Sequence, residues 1–292
     1  MSCTRSILAG EGLIDAREMT DSSYLWDKGQ VDLLSERFQR DGFVLIRGLL
    51  SPQDVYTARE SALRDLSALR PEVFMRGKPP LQGLAAKGAS SLGLLGYQHI
   101  AQSERVQPIL EHPSLFKLAR ALTEEEDVIT TGYKWLRAVG EGEFTGLHTD
   151  RVFLGQGSSS LVTLWLPLGD VPVEQGGLLV CRGSHRLRAF APLRATYGSS
   201  GVGADGTRSG WLSSDGSTLT ATVGRYAVDW QTADFRAGDV VALAIDTFHM
   251  SAANRTNRIR VSCDTRWQPA SHARDPRLKT WLGPDRDVRF FR

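Results

Sequence analysis

The sequence is poor in cysteine. Its 292 residues hold three, Cys3, Cys181 and Cys263, far apart and in no C-x-x-C pair. That argues against a disulfide framework and against a cysteine-based zinc site. Cys181 and Cys263 lie in apolar, strand-like runs and read as small buried hydrophobes. Charge of one sign is equally scarce. The chain has 35 basic residues against 33 acidic ones, a formal charge of +2. It offers no electrostatic footprint for nucleic acid and no polybasic membrane patch. No apolar run is long enough to span a bilayer. Residues 1–21 lack the apolar core of a signal peptide and carry Glu11, Asp15 and Glu18. A cytosolic, reducing compartment is the expectation. Several enzyme signatures are missing: there is no G-x-S-x-G elbow, no Walker lysine and no H-E-x-x-H. Gly201-x-Gly203-x-x-Gly206 has dinucleotide-binding spacing, but no strand precedes it and no helix former follows, so a loop is expected.

What is present is an ordinary globular composition, 41% hydrophobic and 23% charged. Residues 1–25 show no sustained periodicity and are expected to form a mobile arm or lead-in, with residues 26–292 as a single domain. Val31, Leu34 and Phe38 recur at helical spacing, and Gly42 ends that helix. Phe43–Ile46 is a short apolar strand. Ser51-Pro52-Gln53-Asp54 is a helix start, with Ser51 as N-cap. Val55, Ala58, Ala62, Leu66 and Leu69 form its stripe. Residues 76–96 read as loop. A third helix follows Pro113, with Leu115, Leu118, Ala119 and Leu122 on one side.

From Val128 the period changes to two. Strands are expected over 128–139, 161–168, 178–181, 240–245 and 259–267. Helices followed by strands indicate a mostly β, α+β chain. In the last strand Ile259, Val261, Cys263, Thr265 and Trp267 share one face, and Arg258, Arg260, Ser262, Asp264 and Arg266 share the other. So polar a face predicts a polar cavity. Residues 190–234 are rich in Gly, Ser and Thr and too long for a plain connection, so a lid or insert loop is expected. Tyr197, Trp211 and Tyr226 are candidates for its apolar wall, and Trp230 for an anchor to the barrel.

The candidate chemistry centres on Gly146-Leu147-His148-Thr149-Asp150. On an extended segment a histidine and a carboxylate two apart point the same way. A third ligand is offered by His249, at the end of the apolar run from Asp239. Two histidines and one carboxylate suit a non-haem iron(II) with positions left open for oxygen and a co-substrate. Arg260 follows at a spacing that suits an anchor for the far carboxylate of 2-oxoglutarate; Arg258 faces the same way and is the competing choice. Ser251 or Ser262 offers a hydroxyl to the same carboxylate, and Trp165 either packs the core or walls the co-substrate. His185, in Gly183-Ser184-His185, reads as part of a tight turn.

These residues resemble the phytanoyl-CoA dioxygenase family of iron(II)- and 2-oxoglutarate-dependent oxygenases, from about Leu34 to Pro269. The likeness lies in Phe38–Phe43 through Gly48–Pro52, in Gly176–Arg186, where Arg182 replaces a usual proline, and in Gly238–His249. The resemblance implies a double-stranded β-helix, a jelly-roll or cupin-like barrel with N-terminal helices on its outer face. It implies iron ligands at His148, Asp150 and His249 and co-substrate contacts at Arg260, Ser251 and Trp165. A further contact falls near Tyr133, in Tyr133-Lys134-Trp135. The implied reaction uses iron(II), 2-oxoglutarate and O2, oxidises a C–H bond of a small organic or acyl-thioester substrate, and releases succinate and CO2. The alternatives are a non-catalytic metal- or ligand-binding barrel and a zinc hydrolase with the same three ligands.

Overall fold

Gly42 sets the first boundary of the fold. A one-turn helix, Ser23–Asp27 (α1), leads into Val31–Asp41 (α2), which buries Leu34 and Phe38. Gly42 then adopts φ +80°, and its N–H donates to Phe38 O at 2.8 Å. A Cβ there would strike the side chains of His185 and Thr247, so both the conformation and the space demand glycine. The chain is thereby turned into a strand. In the computed structural model, residues 4–89, 92, 97–198, 210–276 and 288–289 are described. Cys3, the Gly201–Gly206 glycines and residues 199–209 of the expected lid lie outside them.

Ser51 Oγ accepts from Asp54 N–H at 3.4 Å and opens Pro52–Leu69 (α3). Val55, Ala58, Ala62 and Leu66 are buried, whereas Leu69 is 42% exposed, so the predicted stripe ends one turn early. Two short helices, Gln98–Ala101 (α4) and Gln107–Leu110 (α5), precede Pro113–Thr123 (α6). Leu115, Leu118, Ala119 and Leu122 of α6 are buried, as their spacing predicts.

The strand expected over 128–139 is broken into Val128–Thr130 (β4) and Trp135–Val139 (β5). Lys134 accounts for the break. It is buried, and its Nζ donates to Thr131 O at 2.7 Å and Thr130 Oγ1 at 3.2 Å and meets Glu111 at 3.3 Å. A buried ammonium needs such partners, and the chain bends to bring them. Residues 4–18, expected as an arm, instead form a hairpin of Thr4–Ala9 (β1) and Gly12–Glu18 (β2). β2 pairs in parallel with Trp230–Thr232 (β8), a strand that the sequence reading placed inside the loop. Phe43–Ile46 (β3), Val162–Pro167 (β6), Leu178–Cys181 (β7), Val240–Ala244 (β9), His249–Ser251 (β10), Arg260–Pro269 (β11) and Val288–Arg289 (β12) complete the described strands.

Among the described residues, one sheet runs β1-β2-β8-β7-β10. The other runs β12-β4-β11-β6-β9-β3, with β5 also paired to β11. Together they form a double-stranded β-helix, with the N-terminal helices on the outer face. Alternation explains both surfaces. Val44, Ile46, Val162, Leu164, Leu166, Val261, Cys263 and Trp267 pack outward against α2, α3 and α6. Phe43, Leu45, Trp165, Val241 and Leu243 point inward, against Leu178, Val180 and Phe235 of the facing side. Each such full burial contributes about 1.5–3 kcal/mol. The inward positions of β11 are Arg260, Ser262, Asp264 and Arg266, so the polar face predicted for this strand looks into the barrel. No helix among the described residues is long and apolar enough to cross a membrane.

Candidate active site

Two strand ends meet at the centre of the barrel. His148 and His249 exchange backbone hydrogen bonds, at 3.0 and 2.9 Å. Thr145 O accepts from Ser251 N–H at 3.0 Å, so residues 145–148 lie alongside β10. Asp150 is not extended. It has helical φ −66° and ψ −21° and precedes a one-turn helix, Arg151–Leu154 (α7). Period-two alternation is therefore not what brings His148 and Asp150 together; the turn into α7 does so. One ligand atom each from His148, Asp150 and His249 lies within 4.8 Å of the others, and all three residues are buried.

The surroundings prepare these groups to bind a cation. His148 Nδ1–H donates to Gly146 O at 2.7 Å, and His249 Nδ1–H donates to Thr247 O at 2.9 Å. A carbonyl only accepts, so each Nδ1 carries a proton and Nε2 is the nitrogen of each ring turned to a metal. Burial and the neighbouring His249 push the His148 imidazolium down to about 3, against the pull of Asp150, so the ring is neutral. Burial alone would raise the Asp150 carboxyl. Arg266 above all, with the hydrogen bond from Thr163, outweighs it and holds the group down to about 2. Arg266 Nη2 donates to Asp150 Oδ1 at 2.9 Å, and Thr163 Oγ1 donates to Oδ2. Two imidazole nitrogens and an ionised carboxylate are a donor set that fits iron(II).

A cavity beside the triad is lined by Arg137, Thr145, Trp165, Leu178, Ser251, Arg260 and Asp264 together with both histidines. Arg260 is 2% exposed. Its Nη1 donates to Gly176 O, but among the described residues Nε has no partner and no carboxylate reaches the group within salt-bridge distance. Burial, and then Arg137, lower its pKa to about 10. Gly176 has φ +89°, and a Cβ there would sit 3.3 Å from Arg260 Nη1, so glycine preserves this approach. A buried cation with no carboxylate in contact fits the free carboxylate of a dicarboxylic co-substrate. Ser251 Oγ is already engaged as acceptor from Thr145 N–H at 2.8 Å, which leaves its own proton for the cavity. Trp165 is wedged edge-on against Phe235 at 4.8 Å. Tyr133 does not line this cavity; it packs edge-on against Trp135 at 4.7 Å. Arg258 is exposed and belongs to an outer groove with Tyr56 and Arg59.

Other expected residues divide by position. His185 Nε2–H donates to Gln39 O at 2.9 Å and ties its turn to the end of α2, away from the triad. The segment after residue 209 runs beside the site: Leu147 exchanges backbone bonds with Leu212 (2.7 Å) and Ser213 (2.9 Å), and the Trp211 ring lies against Gly146. Tyr197 stacks on Phe248 at 5.9 Å. Trp230 is buried in β8, whereas Tyr226 is 92% exposed and walls nothing. Sequence reading missed the support given to Asp150 by Thr163 and the pairing of Arg137 with Asp264 at 3.2 Å. The alternation within β11 did mark Asp264 and Arg266. A larger groove of 790 Å³ between α2 and α6 gathers no metal-ligating trio.

Residues 38–262 match the phytanoyl-CoA dioxygenase (PhyH) family. The chain belongs to that family. It is an enzyme of the 2-oxoglutarate-dependent oxygenase type, and its triad fits the iron of that chemistry. Solved structures share the fold. The epimerase SnoN from nogalamycin biosynthesis, solved with Fe3+, alpha ketoglutarate and nogalamycin RO, is 22% identical, with a TM-score of 0.58 over 86% of this chain and 88% of that one. EctD from S. alaskensis, solved with 2-oxoglutarate and 5-hydroxyectoine, is 16% identical, with a TM-score of 0.56 over 93% and 85%. The carbocyclase SnoK is 19% identical, with a TM-score of 0.54 over 83% and 85%. At these identities the likeness carries the fold. No curated protein sequence matches the chain.

Proposed function

We propose that this PhyH-family enzyme oxidises a C–H bond of a small organic or acyl-thioester substrate, with release of succinate and CO2. The observation that carries the reading is the pairing of a buried His148–Asp150–His249 cluster with a buried, unpaired Arg260 at one cavity. His148, Asp150 and His249 would hold iron(II) through two imidazole nitrogens and one carboxylate oxygen. Arg260 would take the far carboxylate of 2-oxoglutarate, Ser251 would add its hydroxyl, and Trp165 would wall the co-substrate. Iron, 2-oxoglutarate and O2 together supply the oxidising power. The chain supplies orientation and exclusion of water. Thr163 and Arg266 keep the Asp150 carboxylate ionised and fixed in place. The stretch at Leu212 and Ser213, which pairs with Leu147, would border the substrate beside the triad.

The test is succinate formation from 2-oxoglutarate, measured with and without iron(II). Wild type should form succinate only with iron, and His148→Ala and His249→Ala should form none while keeping the wild-type circular dichroism spectrum. Iron-independent succinate, or full activity in either variant, would remove the triad from the mechanism.

A further inference from the structure

Arg266 is the inward residue of β11 that bonds Asp150 of the metal cluster, yet most of its bonding capacity is unused. Its side chain is 4% exposed, and Nη2 donates to Asp150 Oδ1 at 2.9 Å. Nε and Nη1 are buried and reach no acceptor among the described residues. The indole of Trp135 lies over the guanidinium, with Cζ 4.6 Å from the ring centroid. That contact does not answer the two free nitrogens. Guanidinium N–H groups point outward in the plane of the group, and the ring stacks on its face. Buried donors are rarely left without acceptors, and two on one cation call for a ligand.

The charges point the same way. Arg137 is matched by Asp264 at 3.2 Å. Arg260 is reserved for the co-substrate. Asp150 serves both Arg266 and the metal position, so a cation held there draws on the charge that Arg266 otherwise uses. Arg266 is then left with positive charge to spare in a buried place.

We propose that Arg266 recognises the substrate: its unpartnered N–H groups take a carboxylate of the substrate, while Nη2 steadies Asp150. The proposal rests on the oxygenase reading above and narrows it to an organic acid as substrate. A carboxylate is the ligand of choice because its planar pair of oxygens matches the guanidinium fork. Its acid end lies one guanidinium away from Asp150, so the carbon oxidised is close to the acid group. Half-buried Trp135, stacked on Arg266, and Phe153, edge-on to His148 at 5.6 Å, pack against the same cluster of Leu154, Leu161 and Ile245 and would wall the apolar part.

Arginine side-chain NMR tests this without turnover. The Nε–H and Cζ resonances of Arg260 and Arg266 are assigned with Arg260→Lys and Arg266→Lys, which keep a cation at each position. Zinc(II) replaces iron as a redox-inert metal. 2-Oxoglutarate is added first, then hexanoate or hexanamide. 2-Oxoglutarate should move the Arg260 signals. Hexanoate should then move those of Arg266, at least about tenfold more tightly than hexanamide. If 2-oxoglutarate moves Arg260 but hexanoate leaves Arg266 in place, or acts no better than the amide, the recognition role is overturned and the oxygenase reading stands. A shift of Arg266 with 2-oxoglutarate alone would assign that residue to the co-substrate and equally overturn the role. If neither arginine responds to 2-oxoglutarate, the oxygenase reading fails and takes the proposal with it.

Discussion

Arg258 and Arg260 are two apart in sequence and share a parity, yet they end in different surroundings. Arg260 begins β11 and is buried; Arg258 lies before the strand and is exposed. Arg260→Ala should therefore weaken 2-oxoglutarate binding to the metal-loaded protein by about 2–5 kcal/mol, at least about 30-fold. Arg258→Ala should leave it within about threefold, the ordinary reach of an exposed charge. Calorimetric titration of both variants checks the pair, and a reversed order would place the co-substrate elsewhere. Thr163→Val removes the hydroxyl that donates to Asp150 Oδ2 without changing the side-chain shape. Supports of this kind typically set metal affinity by about 10–100-fold. Competition with a metallochromic chelator should show a loss of that size, and unchanged affinity would make the bond incidental. Arg260 was legible because its spacing from His249 favoured it over Arg258, which shares its parity. Thr163 was not, because its partner lies on another element and nothing in the chain between them records the meeting.

At the scale of elements, the end of α2 is tied to the turn after β7 through Asp41. Arg40 holds the Asp41 carboxylate at 2.9 and 2.7 Å and Arg182 at 2.7 Å, while Gly183 N–H donates to its carbonyl at 2.7 Å. Burial pushes the Asp41 carboxyl up, but the two arginines outweigh it and hold it below the usual carboxylate range. A carboxyl depressed in the folded state stabilises above its unfolded value, near pH 4, and that stabilisation is lost as pH falls through the folded value. Asp41→Asn should cost about 1–2 kcal/mol at pH 7, the exposed sides of both arginines being screened, and should flatten the loss of stability below pH 4. Urea titrations at pH 7 and pH 3 measure both. An equal deficit at the two pH values would show that charge is not the cause.

The N-terminal hairpin makes a second prediction at this scale. Ile7, Ala9, Ile14 and Ala16 are buried with Leu179, Trp230 and Met250. Deleting residues 1–18 should cost at least about 2 kcal/mol, the worth of one large side chain uncovered. Thermal unfolding reads it, and an unchanged midpoint would mean that the hairpin only rests on the sheet. The hairpin was illegible because small residues alternate weakly with charge, and because β2 pairs with a strand more than 200 residues later. α3 and α6 were legible from cap, proline and stripe, which are local.

At the scale of the whole molecule, the site depends on closure of the barrel. His148 and Asp150 come from the segment before α7, His249 from β10, Arg260 and Arg266 from β11, and Thr163 from β6. No element carries more than a part of the centre. The order of helices and then strands disclosed the class of fold, and three residue types at family spacing disclosed the candidate metal. The bend at Lys134 and the helical turn at Asp150 escaped because tertiary partners, not local propensity, decide them. The central claim is that closure of this barrel builds one iron and 2-oxoglutarate site. Under anaerobic conditions an iron(II)–2-oxoglutarate chelate absorbs visible light, and the band requires both components on the same centre. The account predicts that wild-type protein develops the band at one iron per chain, that His249→Ala lacks it, and that Arg260→Ala develops it only at a raised 2-oxoglutarate concentration. A band of full intensity in His249→Ala, or none in wild type at saturating iron(II) and 2-oxoglutarate, would contradict it.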